Sequence, residues 1–542
     1  MKTHSIWPWV VACLMSGCGA GSTATVASEE PTASAASSAA VVPHVGGATL
    51  VAAAQDATSE TLKRTPTASD QGGEDESWDS LYLNGSKAGY SHTQVTHVEE
   101  DGRPVVKVDV ETRLSIKRFG QTIESTMRFT SYETADGDLV RFDNQVENSP
   151  GSARGWVEGD KLVIEVPSTG KPIRHAIDWP GDVVGYSGEE RLLTEAPLKP
   201  GDRRTMKTLA PIFNKIAEVQ MVAEDFEEVK LLDRTARLLR VVTTNSVTPG
   251  FTTVLWIDEH GDALKSSAQL GFLEQTTYRT SRDDALKGIG DGLDTDLGFD
   301  TLVRVEQPIP DAHRTREVTY QISVEDADPV ELFAEAPTQS IQRLDAHTIE
   351  LRVRAVGPDS PDRDAGDKPA ADVPAEYVDP NALVQSDDAE VVRLAEQAAA
   401  GASEPWEVAT RIERWVFENL ADKNFTRAFE SAAEVARDLE GDCTEHAVLV
   451  AALARARKVP SRVAVGLVYM ERGQAFAYHM WTEVFVRDTW VPVDGTLGRG
   501  GIGAAHIKLS SSSLAGLDVA EQFLQVLQVL GKTSIKVVDV KH

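Results

Sequence analysis

The sequence of 542 residues is poor in cysteine, in clustered positive charge and in long apolar runs. Only three cysteines occur, and if Cys13 is removed with a signal peptide and Cys18 carries lipid, Cys443 cannot form an internal disulfide. The net charge is −30 and no long Lys/Arg cluster occurs, which argues against a nucleic-acid partner because phosphate binding needs a basic surface. Beyond the N-terminus no segment is apolar enough to cross a bilayer. No nucleotide loop, metal cluster or cofactor motif is evident, so we expect no cofactor.

The N-terminus has the features of a bacterial export signal. A short polar head precedes an apolar run from Ile6 to Met15, which has roughly the length of a secretory signal core. The stretch MSGC at residues 15–18 resembles a lipobox, although its first position is usually leucine. The resemblance implies a signal peptide over residues 1–17, cleavage before Cys18 and lipidation of Cys18. The alternative is a plain signal peptide with a chance cysteine.

The lipobox resemblance also predicts a location. We expect an exported protein that is anchored in the bacterial cell envelope through its lipidated N-terminus. Gly19 follows the cysteine, and it stands where an aspartate is associated with retention in the inner membrane. The outer membrane is therefore favoured.

Composition divides the next part of the chain into a tether and a β-rich region. Residues 18–76 are rich in Ala, Ser, Thr and Pro and hold too few apolar side chains to form a core, which predicts a flexible tether. Residues 77–285 contain runs of period-two alternation, such as VVKVDVETRLSI and KLVIEV, which are separated by turn signals. This pattern predicts an antiparallel β domain, half-barrel or sandwich-like. We expect a loop or short helix over residues 205–225, across the mouth of the sheet.

Two linkers and a small module precede the C-terminal domain. A Gly/Asp-rich linker is predicted over residues 286–298 and a small β module over residues 299–356. Residues 357–378 are rich in Pro and Asp and read as an acidic linker. The C-terminal domain, residues 379–542, has an α+β pattern.

Three predicted helices open the C-terminal domain. They lie in the stretches DDAEVVRLAEQAA, SEPWEVATRIERWVFENL and SAAEVARDLEGD. In the second helix Ser403 is the predicted N-cap and Pro405 lies in the first turn.

A fourth helix begins at Cys443. Asp442 and Glu445 have the spacing of a capping box, which places Cys443 at the first helical position. Residues 447–454 are all apolar, so this helix is expected to be buried. The positive end of a helix and its N–H groups stabilise a thiolate, which is the nucleophilic form of cysteine. Cys443 is therefore a candidate nucleophile.

An imidazole and a carboxylate follow on a predicted hairpin. His479 and Asp494 lie on its two strands, and a tight loop near residues 487–489 joins these strands. Because side chains alternate between faces, any even-membered loop puts Asp494 on the same face as His479. A carboxylate beside the imidazole would set its tautomer and stabilise its cation.

Four stretches of the C-terminal domain resemble the motifs of a known superfamily. The stretches GDCTEHA, ARARKVPSRVAVG, YHMWTEV and WVPVDGT, within residues 385–510, resemble the transglutaminase-like superfamily. The resemblance implies a papain-like core with Cys443 as nucleophile, His479 as general base and acid, and Asp494 as its orienting partner. It implies acyl transfer from an amide through a thioester, resolved by an amine or by water, with the Cys443 N–H as an oxyanion donor.

Other interpretations of these residues remain open. Cys443 could be an ordinary core cysteine, and Cys443 with His446 has the C-x-x-H spacing of a metal pair, although no second pair follows. His446, Trp481 and His506 are each expected to be structural, and Glu483 could support the site or only pair across strands.

We therefore predict a lipid-anchored, exported cysteine acyltransferase or amidase that acts on a protein or peptide. Hydrolysis and transamidation are not separated by the sequence, and it makes no prediction of the oligomeric state. The alternative is a non-catalytic envelope lipoprotein whose β domains bind a ligand or partner.

Overall fold

We describe a computed structural model of the chain, which covers residues 75–100, 102–147, 152–167, 172–357, 373–421, 430–515 and 525–542. The predicted signal peptide 1–17, the lipidation site Cys18 and nearly all of the tether 18–76 lie outside the described residues. Most of the predicted linker 357–378 does as well.

Residues with period-two alternation form the first and largest sheet, which has 15 strands. Its strands are β1 (Asp75–Leu83), β2 (Ser86–Glu100), β3 (Arg103–Arg118), β4 (Gln121–Thr134), β5 (Leu139–Val146), β6 (Ala153–Glu158), β7 (Lys161–Val166), β8 (Ile173–Asp178), β9 (Val183–Val184), β10 (Arg203–Ala210), β11 (Lys215–Lys230), β12 (Thr235–Asn245), β13 (Thr252–Ile257), β14 (Ala263–Leu270) and β15 (Leu273–Thr280). The strand order is β8 to β1, then β15 to β9, and all pairs are antiparallel except β9 with β10. The predicted antiparallel β domain is confirmed.

The prediction of a loop or short helix over residues 205–225 is wrong. These residues belong to strands β10 and β11, which pair with each other, and to the four-residue turn 211–214 between them. Their apolar side chains alternate with polar ones, and Met206, Val219 and Met221 are buried in the core of the sheet. The helix of this region is instead α1 (Tyr186–Glu195), and α2 (Arg282–Leu286) follows the last strand.

Two smaller sheets follow. One contains β16 (Val303–Arg304), β20 (Ser461–Met470), β21 (Ala475–Val486), β22 (Thr489–Val493) and β23 (His506–Ser512). The other contains β17 (Glu317–Val324), β18 (Gln339–Arg343), β19 (Thr348–Arg354) and β24 (Thr533–Lys541), with the short helix α3 (Pro329–Leu332) beside it. Strand β24 pairs along the whole of β17, so the predicted module 299–356 builds its sheet together with the end of the chain.

The C-terminal region contains the packed helices α4 (Ala389–Ala399), α5 (Pro405–Asn419), α6 (Ala432–Asp438) and α7 (Cys443–Ala456). Helix α5 is capped by Glu404, whose side chain accepts from the Glu407 N–H at 3.0 Å, and not by the predicted Ser403. The longer carboxylate occupies the position directly before Pro405, where the first helical N–H groups are within its reach.

Helix α7 lies at the centre of this region. It contacts α4, α5, α6 and strands β20 and β21, and its residues from Cys443 to Arg455 are all buried. Across the described ranges, no helix combines the length and the apolar character that a membrane span requires.

Candidate active site

The start of α7 is built by a capping box. Asp442 accepts from the Thr444 N–H at 2.9 Å, and Glu445 accepts in return from the Asp442 N–H at 2.9 Å. Gly441 has φ +153°, and a side chain there would collide with Glu445. The predicted capping residues thus hold Cys443 at the first helical position, where its side chain is 2% exposed.

The hairpin of β21 and β22 brings the second and third candidate residues together. Its turn consists of Arg487 and Asp488, which have φ values of +47° and +62°. With this two-residue turn, His479 and Asp494 share a face of the hairpin. The His479 Nε2 atom lies 2.8 Å from Asp494 Oδ2, and both side chains are 1% exposed.

The imidazole of His479 is the link to the thiol. Its Nε2 atom is engaged by Asp494, and its buried Nδ1 atom has no hydrogen-bond partner within ordinary limits. Burial lowers the pKa of His479, but the charge and hydrogen bond of Asp494 and the interaction with Cys443 outweigh burial and raise this pKa to about 10. Nδ1 is therefore the ring nitrogen that is left to exchange a proton with Cys443.

Asp494 is held as an anion. Burial raises its pKa, but the charge of His479 and hydrogen bonds from His479 and His506 hold this pKa well below its usual range. Its Oδ1 atom accepts from the Thr496 N–H at 2.8 Å and from the Thr496 hydroxyl at 2.6 Å. Because an ionised carboxylate only accepts, both histidines donate to it.

His506 is a second imidazole on the same carboxylate. Its Nε2 atom lies 3.0 Å from Asp494 Oδ2, and burial lowers its pKa. The sequence carried no signal for this contact, because His506 stands on β23, which pairs with β20 and not with the hairpin. We had expected this residue to be structural.

Glu413 is the other residue that sequence reasoning missed. It is fully buried on α5 and accepts from the Asp494 N–H at 3.1 Å and from the Gly500 N–H at 2.7 Å. Burial raises the pKa of Glu413 to about 7, and its backbone hydrogen bonds only partly counter this. A signal was available, since this glutamate stands between the apolar positions Ile412 and Val416 of the buried helix face.

The remaining candidates have structural contacts. The His446 Nδ1 atom lies 2.7 Å from the Asp442 carbonyl oxygen, so this nitrogen is not available to the suggested metal pair with Cys443. Trp481 is 2% exposed in the core. Glu483 forms buried ion pairs with Arg462 at 2.6 Å and with Lys508 at 2.7 Å.

Three possible metal ligands lie close together. His479, Asp494 and His506 each offer one ligand atom, and these three atoms all lie within 4.8 Å of one another. Such a group could hold a metal ion, but Asp494 Oδ2 already accepts a hydrogen bond from each imidazole. We therefore interpret the cluster as a hydrogen-bonded unit.

A cavity of about 1060 Å³ lies beside these residues. It is lined by five arginines and two tryptophans, namely Arg314, Arg316, Arg411, Arg414, Arg499, Trp406 and Trp415. Neither Cys443 nor His479 lines it, so we do not assign it to the reacting amide.

Comparison with known proteins gives one family. Residues 392–495 match the family model of the Transglutaminase-like superfamily, whose members are typically cysteine enzymes. This match confirms the resemblance carried by the four motifs. No curated protein matches the chain.

Several solved structures are similar to parts of the chain. A β-barrel-like protein of unknown function from Brucella abortus is 12% identical, with a TM-score of 0.29, over 39% of this chain and 96% of that chain. A proposed cysteine protease from Cytophaga hutchinsonii is 16% identical, with a TM-score of 0.25, over 41% of this chain and 86% of that chain. A proposed protease from Parabacteroides distasonis is 10% identical, with a TM-score of 0.18, over 78% of this chain and 70% of that chain.

TM-scores this low carry no argument about activity, so the assignment rests on the family match and on the motifs. The C-terminal part of the chain is a transglutaminase-like domain, and a large antiparallel β-sheet precedes it.

Proposed function

We propose that the protein is a cysteine acyltransferase or amidase that acts on an amide of a protein or peptide. Cys443 is the nucleophile, His479 the general base and acid, and Asp494 the group that orients the imidazole. The observation that carries this proposal is the buried His479–Asp494 pair, which leaves one imidazole nitrogen for a thiol at a helix N-terminus.

The chemistry follows from this arrangement. The Cys443 thiolate attacks the carbonyl carbon of the amide, and the Cys443 N–H at the helix N-terminus is suited to stabilise the oxyanion. The C–N bond breaks as His479 passes its proton to the departing amine, which leaves a thioester. Water or an amine then gives a proton to His479 and attacks the thioester, and the thiolate is regenerated.

The first experiment measures the alkylation rate of Cys443 by iodoacetamide against pH. Mass spectrometry of the peptide that contains Cys443 keeps Cys13 and Cys18 from interfering. We expect a rate already on its plateau near pH 6, because the imidazolium stabilises the thiolate. An ordinary titration near pH 8.5, the value of an unperturbed thiol, would contradict the proposal.

A second experiment separates the two outcomes of the thioester. A glutamine-containing protein is incubated with a fluorescent primary amine, and amine incorporation and ammonia release are measured together. Incorporation indicates transamidation, whereas ammonia release without incorporation indicates hydrolysis. A Cys443→Ala variant is the control for both signals.

We also propose that the enzyme is anchored in the cell envelope through lipid on Cys18. The support is the apolar run followed by MSGC at residues 15–18. Labelling cells with an alkyne fatty acid should mark the full chain and should fail with Cys18→Ser. Labelling that persists in this variant would contradict the anchor but would leave the catalytic proposal unaffected.

A further inference from the structure

One charged residue of the N-terminal sheet reaches the start of the nucleophile helix. Arg118, the last residue of β3, places its Nη1 atom 3.6 Å from Asp442 Oδ2. The two side chains are 8% and 2% exposed, so this ion pair is buried. Asp442 directly precedes Cys443, and the sheet therefore contributes a cation beside the first turn of α7.

The turn that carries Arg118 is fixed by the segment predicted as a Gly/Asp linker. The Asp296 carboxylate accepts from the Phe119 N–H at 2.8 Å and from the Gly120 N–H at 2.7 Å. Gly298 lies against the Phe119 ring, where a Cβ would come within 2.6 Å of ring carbons. The backbone that follows Arg118 is thus held in place by residues 296–298.

A second contact fixes the sheet against the C-terminal region. A Cβ on Gly271, between β14 and β15, would lie 2.4 Å from the Leu527 carbonyl oxygen. The Gln528 side chain donates to the Pro249 carbonyl oxygen at 3.3 Å. Because the sheet is in contact at two separate places, the position of Arg118 relative to α7 is part of the fold.

The charges around Cys443 show what Arg118 can do. Asp442 Oδ2 is buried and accepts no hydrogen bond, so Arg118 is its closest described charge partner. Burial and the charge of Asp442 raise the pKa of Glu445 well above its usual range. The titratable and charged groups that face this turn are Asp442, Glu445 and His446 from α7 and its cap, Glu430 before α6, His479 on β21, Asp494 after β22, and Arg118 on β3.

We propose that Arg118 is a positioning residue for Cys443, through which the N-terminal sheet completes the active site of the transglutaminase-like domain. Its guanidinium offsets the negative charge of Asp442 beside the thiolate and keeps the carboxylate in its capping geometry. This inference rests on the proposed function and gives the β-sheet a direct part in it.

The test uses the full chain and the alkylation profile of Cys443. In Arg118→Met the Asp442 charge acts on the thiolate without compensation, and the midpoint of the profile should rise by about one pH unit. Arg118→Lys keeps the charge and should stay within a few tenths of a unit of the unsubstituted protein. The double variant Arg118→Met/Asp442→Asn removes both charges and should reverse most of the rise.

Matched controls separate this role from a purely structural one. Arg113→Met removes an arginine of the same strand that is 44% exposed and pairs with Glu124, and it should leave the midpoint unchanged. Thermal unfolding of each variant shows whether it folds. If Arg118 has only a structural role, Arg118→Met should lower the melting temperature but leave the alkylation midpoint of the folded protein unchanged.

The outcomes distinguish the two proposals. A low midpoint in the unsubstituted protein that is equally low in folded Arg118→Met would overturn the role of Arg118 alone. If Arg118→Met does not fold, the double variant is compared with Asp442→Asn alone. The inference predicts a higher midpoint in the double variant, because only Asp442→Asn keeps the arginine cation, and equal midpoints would overturn it. An ordinary midpoint near 8.5 in the unsubstituted protein would overturn the proposed function itself.

Discussion

Helices α1 and α7 each have a buried acidic side chain at the N-terminus, and they use these N-termini differently. At α1, the Glu133 carboxylate from strand β4 accepts from the Ser187 N–H at 3.0 Å and from the Gly188 N–H at 3.2 Å. At α7, the cap Asp442 takes the Thr444 N–H, and Cys443 occupies the first helical position. Both ends are buried, but only the second one carries a cysteine, which we propose as the nucleophile.

The comparison separates a buried helix N-terminus that only binds a carboxylate from one at which we propose a reactive cysteine. At α1 the positive end of the helix is saturated by a carboxylate, and Gly185 allows this approach because a Cβ there would lie 2.2 Å from the Glu133 carboxyl carbon. At α7 the positive end of the helix lies beside the imidazole of His479, which the carboxylate of Asp494 orients. The reactivity that we propose for Cys443 depends on this convergence of several elements.

The largest expected effect comes from removing the imidazole at α7. In His479→Ala the midpoint of Cys443 alkylation should rise by at least about two pH units, toward that of an ordinary thiol, because the neighbouring cation is lost. The profile is measured with iodoacetamide. His260→Ala, which removes a histidine that is 76% exposed, is the control. A midpoint unaffected by His479→Ala would mean that the two helix ends do not differ in the way proposed.

A smaller effect is expected at Glu413, which holds Asp494 beside the reactive helix end. Its pKa in the folded protein is raised to about 7, so its contribution to stability is present at low pH and is lost as pH rises toward 7. Relative to Glu413→Gln, the unsubstituted protein should therefore lose about 2 kcal/mol of unfolding free energy between pH 5 and pH 7.5. Urea unfolding at several pH values measures this difference.

The control for this prediction is Glu407→Gln on the same helix, where the side chain is 49% exposed. Because this side chain stays in contact with water, the substitution should change the unfolding free energy by less than about 0.5 kcal/mol. A difference at Glu413 that is independent of pH would show that this carboxyl group does not titrate near neutrality.

Removing the carboxylate at α1 tests the other side of the comparison. Glu133→Ala leaves buried N–H groups of the helix without an acceptor, which should cost about 2 kcal/mol of unfolding free energy. The alkylation profile of Cys443 should not change. Urea unfolding gives the first quantity, and Glu195→Ala at the exposed end of the same helix serves as the control. A shifted alkylation midpoint would show that the two helix ends are coupled.

The smallest effect is expected in the turn that sets the position of Asp494. Asp488 has φ +62° and is exposed, so Asp488→Gly relieves an unfavourable backbone conformation and should stabilise the protein by about 0.5–1 kcal/mol. The alkylation profile should be preserved, because the register of the hairpin is the same. Asp488→Ala should give no gain, and a gain equal to that of glycine would contradict this explanation.

Much of the fold could be predicted because its signals are local. Alternating side chains predicted the antiparallel sheet, and the spacing of Asp442 and Glu445 predicted the start of α7. The motifs around Cys443, His479 and Asp494 predicted the family that residues 392–495 match. Residues 205–225 were predicted wrongly because their alternation was overlooked, and the cap of α5 because a serine was preferred to the adjacent Glu404.

The sequence by itself determined the local elements and the chemical groups of this protein, since capping boxes, strand alternation and a two-residue turn depend on neighbouring residues only. Tertiary structure alone decided which distant groups meet at Asp494. His506 and Glu413 reach it from another strand and another helix, and Arg118 reaches Asp442 from a different sheet. The physical reason is that these contacts depend on how sheets and helices pack, and a pattern along the chain does not contain that geometry.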